Sequence, residues 1–260
     1  MTSFRPIGVF DSGVGGTSIW KELHKVLPFE NTLYLADSKN APYGEKSEQE
    51  IIDLSSKNTE WLLQHHCKLI VVACNTATTN AIAHLRASYD VPFIGIEPAI
   101  KPAALKSQSK TIGILATKGT LSSSLFHNTS KNFSDGIQVI EQDGEGLVPL
   151  IESGRASSDE VEKLLEKYLK PMIAKGIDYL VLGCTHYPYL VPTIRKILPN
   201  HVQIIDSGEA VAKQTKNILE RTNLLAGEAI SKHQFYTNTN AGLLKGFLRD
   251  YDVEVNYLDF

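Results

Sequence analysis

Three short stretches of this chain recur in the same order with nearly the same displacement. Ile7-Gly8-Val9-Phe10-Asp11-Ser12, ahead of a glycine-rich turn and Thr17-Ser18, returns at position 112 as Ile112-Gly113-Ile114-Leu115-Ala116-Thr117, ahead of Gly119-Thr120 and Ser122-Ser123. Val71-Val72-Ala73-Cys74-Asn75-Thr76 resembles Val181-Leu182-Gly183-Cys184-Thr185-His186, and Val91-Pro92-Phe93-Ile94 resembles Val202-Gln203-Ile204-Ile205. A repeat of this kind points to two copies of one structural unit, packed so that corresponding positions are related by pseudo-symmetry.

The unit is read from its apolar runs. Strands are expected at Ile7–Phe10, Thr32–Ala36, Leu69–Ala73, Phe93–Ile96, Ile112–Ala116, Ile137–Ile140, Tyr179–Leu182 and Val202–Ile205. Most are continuous rather than alternating, as in parallel strands covered on both faces. Helices are expected between them. Ser47 with Glu50 reads as a capping box opening a helix to His65, and Ser157 with Glu160 opens another through Val161, Leu164, Leu165 and Tyr168. Strand–helix alternation implies an α/β fold with right-handed crossovers, and ligands bind outside the carboxyl ends of such strands. The stretch from 97 to 110, with Pro98 and Pro102, is the expected crossover between the copies.

Composition narrows the class. The chain has 260 residues, enough for one large domain or two small ones, with 42% apolar and 21% charged residues, as in ordinary globular proteins. Its net charge of −3 leaves no electrostatic footprint for nucleic acid or an anionic membrane, and no apolar run approaches a membrane span. No signal-peptide core precedes the first strand, and three cysteines make no disulfide framework, so a cytoplasmic protein with free thiols is expected.

Two of those thiols, Cys74 and Cys184, sit at equivalent strand ends of the repeat. Unpaired N–H groups at a following helix start stabilise a thiolate. A single strand cysteine usually just packs, as expected of Cys67, which has no counterpart in the second half. Two in register, facing a shared cleft, suit a reaction needing two equivalent acid/base groups, such as inversion of a stereocentre by proton removal on one face and delivery on the other. The turn Asp11-Ser12-Gly13-Val14-Gly15-Gly16 is neither a P-loop nor a dinucleotide fingerprint; its glycines read as letting backbone approach a ligand, or as a tight turn only. Asn75, Thr76, Thr117, Thr120, Thr185 and His186 would add hydrogen-bonding groups around a small anion. Asp11 reads as a partner for a substrate ammonium or a proton, or as a helix cap; His186 as a proton partner of Cys184, or as a loop histidine. No metal site is expected, because Cys184-x-His186 with Cys74 lacks closed zinc spacing.

The runs Gly8 to Gly16, Ala41-Pro42-Tyr43-Gly44, Ala73 to Thr78, Ile96-Glu97-Pro98-Ala99 and Leu182 to Pro188 together resemble the motifs of the glutamate racemases, within the wider aspartate/glutamate racemase family. The resemblance spans residue 7 to about Gly208. It implies two pseudo-symmetric three-layer α/β domains with mainly parallel sheets and an active site in the cleft between them. The first domain would comprise residues 1–97 plus 208–260, closed by strands at Gln234–Asn238 and Val253–Tyr257, and the second residues 98–207. It implies cofactor-independent interconversion of L- and D-glutamate for peptidoglycan synthesis, and a homodimer. Cys184 would take the α-proton of L-glutamate and Cys74 protonate the opposite face, with Asp11, His186 and Glu152 as helpers. Ser12, Tyr43, Gly44, Asn75, Thr76, Thr185 and His186 match substrate-contacting positions. The lack of a long N-terminal extension weakens the case for the activation by cell-wall precursors found in some members. The rival readings are an aspartate racemase of the same family, a Cys184–His186 nucleophilic hydrolase, and a bilobed solute-binding protein.

Overall fold

The computed structural model describes residues 4–133, 136–228 and 230–260. The first half runs β1 (Ile7–Asp11), α1 (Thr17–Val26), β2 (Thr32–Ala36), α2 (Glu48–Gln64), β3 (Leu69–Val72), α3 (Asn75–Ser88) and β4 (Phe93–Gly95). The second runs α4 (Ile100–Lys106), β5 (Thr111–Ala116), α5 (Lys118–Leu121), α6 (Ser124–Phe133), β6 (Gln138–Asp143), α7 (Leu147–Glu152), α8 (Asp159–Ala174), β7 (Tyr179–Gly183), α9 (Val191–Ile197) and β8 (Gln203–Ile205). The chain then returns through α10 (Gly208–Arg221), β9 (His233–Thr237), α11 (Ala241–Phe247) and β10 (Glu254–Tyr257).

Two sheets form, ordered β10-β9-β2-β1-β3-β4 and β6-β5-β7-β8. Every pairing among them is parallel. The block β2-β1-β3-β4 has the same order as β6-β5-β7-β8, so the recurring motifs occupy matching ranks: β1 with β5, β3 with β7, β4 with β8. β9 and β10 extend the first sheet alone.

The continuous apolar strands follow from cover on both faces. Successive side chains of a strand point to opposite faces. Ile7 and Val9 therefore pack with Ile19, Trp20 and Leu23 of α1 and Val211 and Leu219 of α10, whereas Phe10 packs with Ile51 and Leu62 of α2 and Ala77 and Leu85 of α3. The second sheet divides likewise: Leu180 and Leu182 meet Leu165, Leu169 and Met172 of α8, while Ile112, Ile114 and Val181 meet Ile100 and Ala103 of α4. Cys67 belongs to this packing; burial pushes its thiol up to about 12, and a Cβ on Gly8 would lie 3.0 Å from its sulfur.

The capping box at Ser47 and Glu50 is present, and α2 ends at Gln64 with His65 as its cap. Helix α8 starts one residue later than expected. Its cap is Ser158, not Ser157, and the Ser158 side chain accepts from the Val161 N–H at 3.4 Å. Among the strands, β6 begins at Gln138 rather than Ile137 and runs on to Asp143, and β8 begins at Gln203 rather than Val202. The two passes of chain between the sheets are tied where the Ser207 hydroxyl donates to the Glu97 carbonyl. The returning segment is clamped to the first sheet by a buried ion pair. Lys68 Nζ lies 2.6 Å from Glu30 and donates to the Leu224 carbonyl at 2.7 Å, while Glu30 accepts from the Ala226 N–H at 2.7 Å.

Candidate active site

The carboxyl ends of β1 and β3 in one sheet face those of β5 and β7 in the other. Between them lies a constricted space lined by both Cys74 and Cys184, about 250 Å³ with open solvent counted. Ser12, Tyr43, Gly44, Asn75, Thr76, Thr117, Thr185 and His186 also line it. Larger clefts occur elsewhere among the described residues, but none is lined by a thiol.

Cys74 is the N-cap of α3, and its sulfur accepts from the Ala77 N–H at 3.4 Å and lies 3.7 Å from the Ser12 hydroxyl. Only 4% of it is exposed, and burial together with the neighbouring Asp11 carboxyl pushes the thiol well above its ordinary value, so Cys74 holds its proton. Cys184 follows β7, and its sulfur lies 3.7 Å from His186 Nδ1. His186 Nε2 is in turn 2.5 Å from Glu152 Oε1. Burial disfavours a charged His186, but its bonds to Cys184 and Glu152 outweigh burial and hold it well above the usual histidine range. The imidazolium then donates on both sides, to sulfur and to carboxylate. The Gly15 N–H, 3.2 Å from Nε2, is a contact rather than a bond in that state, because a protonated ring nitrogen has no lone pair to offer.

Asp11 ends β1 fully buried. It accepts from the Ser12 N–H at 2.8 Å, the Gly16 N–H and the Thr185 hydroxyl at 3.2 Å, and its charge is felt by the neighbouring Cys74 thiol. Burial raises its carboxyl to about 6, against the pull of His186. Asp11 therefore holds the turn before α1 beside Cys74, but it does not cap that helix, whose N-cap is Gly16 without a side-chain cap bond. Asp11 and Thr120 stand behind the cavity wall rather than in it. Thr120 joins Thr76 (3.3 Å) and Thr117 (3.0 Å) in a triangle of hydroxyls across the two sheets, closed by Thr76–Thr117 at 2.8 Å.

The glycine turn departs from the ligand-approach reading. Its amides are used by protein groups: Val14 N–H donates to Glu152 Oε1 at 2.7 Å, and Gly16 N–H to Asp11. A Cβ on Gly13 would fall 1.9 Å from Glu152, and one on Gly15 2.3 Å from the His186 ring. These glycines admit side chains of the opposite half, and only Ser12 of the turn reaches the cavity. Tyr43 lines the cavity, but its hydroxyl donates to Asp37 at 2.6 Å and accepts from Asn58 at 3.2 Å. Asn75 is the converse: it is buried, and neither atom of its side-chain amide has a hydrogen-bond partner. Buried amides without partners are costly, so Asn75 is poised for a polar ligand. Sequence reasoning missed Pro42 and Val148 in the lining. Val148 lies one helical turn before Glu152 on α7, a spacing that puts both on one face.

No helix among the described residues is long and apolar enough to cross a membrane. Residues 7–215 match the family model for Asp/Glu/Hydantoin racemases. The glutamate racemase of Cupriavidus pinatubonensis is 45% identical over 241 residues, covering 92% of this chain and 89% of that one. The structure of Escherichia coli glutamate racemase with L-glutamate and the activator UDP-MurNAc-Ala aligns over 98% of both chains, at a TM-score of 0.86 and 33% identity. A Bacillus anthracis glutamate racemase aligns over 98% of this chain and 97% of its own, at a TM-score of 0.86 and 31% identity.

Proposed function

The chain belongs to the Asp/Glu/Hydantoin racemase family, and from that membership we propose that it interconverts L- and D-glutamate by proton transfer between two thiols, with no cofactor. The single observation that carries the reading is one constricted cavity lined by two cysteines from equivalent strand ends of opposite sheets.

Cys184, beside a protonated His186, takes the α-proton of L-glutamate as a thiolate; the electron pair of the broken C–H bond stays on the α-carbon, next to the carboxylate. Cys74, held as a thiol, gives its proton to the opposite face, leaving D-glutamate. That turnover leaves the sulfurs set for the reverse direction; before a further L-to-D turnover Cys184 gives up its proton and Cys74 regains one, with Asp11 beside Cys74 and His186 with Glu152 beside Cys184 as the proton-exchanging groups. Asn75 and the hydroxyls of Ser12, Thr76, Thr117 and Thr185 hold the substrate, with Thr120 and Gly44 shaping that wall. The lobes are residues 1–97 with 208–260, and 98–207. The product feeds peptidoglycan synthesis, and the protein acts as a cytoplasmic homodimer.

Incubation with L-glutamate in deuterated water, without added cofactor, tests the reaction. Optical rotation decays while deuterium enters the α-carbon, and aspartate run in parallel is a poor substrate. Cys74→Ala and Cys184→Ala each lower racemisation by about 10²–10⁴, the usual worth of a positioned acid or base. Growth of a D-glutamate auxotroph carrying the gene tests the physiological role, and light scattering the dimer. The alignment Cys184–His186–Glu152 also has the order of nucleophile, base and orienter, so it favours one second reading, a hydrolase. An acyl adduct on Cys184 by mass spectrometry would establish that reading instead.

A further inference from the structure

The thiol-lined cavity shares Pro42, Gly44, Thr117 and Val148 with an open cleft of about 890 Å³, solvent included. The outer walls of the cleft are acidic: Glu45 comes from the first half, and Asp143 and Glu145 from the end of β6 and the loop beyond it. Asp143 feels the other two. Asp143 is pushed up by burial and then by Glu145, and Glu45 opposite adds to the effect. Lys118 is the only cationic side chain lining this cleft among the described residues. It is exposed, and its ammonium pulls the Asp143 carboxyl down.

Glutamate approaches with two carboxylates and one ammonium, a net single negative charge. Three carboxylates at a narrow mouth repel such a molecule, and low-dielectric walls focus that field. A lysine at the same mouth opposes it. Lys118 also begins α5, immediately after Thr117, which belongs to cleft and cavity alike. The geometry points to Lys118 as a positioning residue that captures the incoming amino-acid dicarboxylate at the cleft mouth, offsets the acidic rim and passes the substrate inward past Thr117. It acts on capture and does not touch the reacting carbon. This assignment rests on the reading of the inner cavity as a glutamate site.

The test combines steady-state kinetics with calorimetric titration of L- and D-glutamate into the wild type, Lys118→Gln, Lys118→Arg and Glu45→Gln. Lys118→Gln raises KM and Kd for both enantiomers about two- to fivefold, within the range of an exposed charge interaction, and leaves kcat within about twofold. Lys118→Arg restores KM. Glu45→Gln lowers it. Raising the salt from about 20 to about 300 mM, which screens exposed charges, raises kcat/KM of Lys118→Gln, whose mouth carries only carboxylates, more than that of the wild type, so the gap between the two narrows. An unchanged KM and Kd in Lys118→Gln, a loss confined to kcat, or no rescue by arginine overturns the assignment. A wild type that binds glutamate without racemising it leaves the Lys118 comparison decided by Kd, and only the racemase reading fails. A wild type that binds no glutamate overturns both.

Discussion

At the scale of single residues, two thiols with equal ancestry in the repeat have unequal surroundings. Cys74 sits by a carboxyl raised to about 6, and Cys184 by an imidazolium bridged to Glu152. In the proposed two-thiol reaction Asp11 must be ionised to take a proton from Cys74, so the account predicts that kcat/KM in the direction that uses Cys74 as base falls as pH drops through about 6. Asp11→Asn removes that limb of the profile along with most of the activity in that direction. Stability moves the opposite way. A carboxyl raised on folding binds more protons in the native than in the unfolded state between about 4 and 6. Wild-type stability contributed by Asp11 is therefore lost as pH rises through that window, and urea unfolding of Asp11→Asn lacks the decline. The thiols were legible in the sequence because the repeat put both on strand ends. Pro42 and Val148 were not, because apolar lining residues look like any core residue. The glycine turn was half legible: its need for close approach was visible, but the approaching groups, Glu152 and His186, lie more than a hundred positions away in the chain.

At the scale of elements, α1 and its glycine turn, α7 and the segment after β7 act as one device. Gly15→Ala drives a methyl into the His186 ring, so it lowers racemisation by about tenfold or more, with a circular dichroism spectrum like that of the wild type; full activity would show that the ring relocates freely. The Lys68–Glu30 pair fixes the segment leading to β9. Lys68→Ala leaves Glu30 buried without its partner and destabilises the fold by about 3–5 kcal/mol, whereas Lys68→Met with Glu30→Leu costs far less. Urea midpoints of the singles and the double mutant separate the two effects. Most strands were legible from their uninterrupted apolar runs, because parallel strands are covered twice. Several boundaries were not, although Thr32–Ala36 and the Ser47 cap fell where expected. Ser157 and Ser158 both precede acidic residues, and only the direction of the Ser158 side chain toward the Val161 N–H decides between them.

For the molecule as a whole, the two sheets meet so closely that Cys74 and Cys184 are only 4% and 6% exposed. Contacts ring the cavity: the Ser18 hydroxyl donates to the Thr185 carbonyl at 2.8 Å, Asn80 to the Gly119 carbonyl at 3.1 Å, and the threonine triangle stands between them. The proposed reaction therefore requires a parting of the halves to admit substrate, and the account places it at the open cleft. Alkylation by a small maleimide reports that parting. Cys74 and Cys184 react at a rate set by opening, saturating glutamate slows both by about tenfold, and Cys67 stays unreactive. Rates unaffected by glutamate would contradict entry by opening. The repeat made the pairing of two α/β units legible, but not their closeness, which depends on side chains crossing from one half to the other. The most direct measurement is a crystal structure with D-glutamate bound. The account predicts one sulfur on each side of the α-carbon, both in van der Waals reach of it. Two sulfurs on the same side, or either one packed away from the ligand, would contradict it.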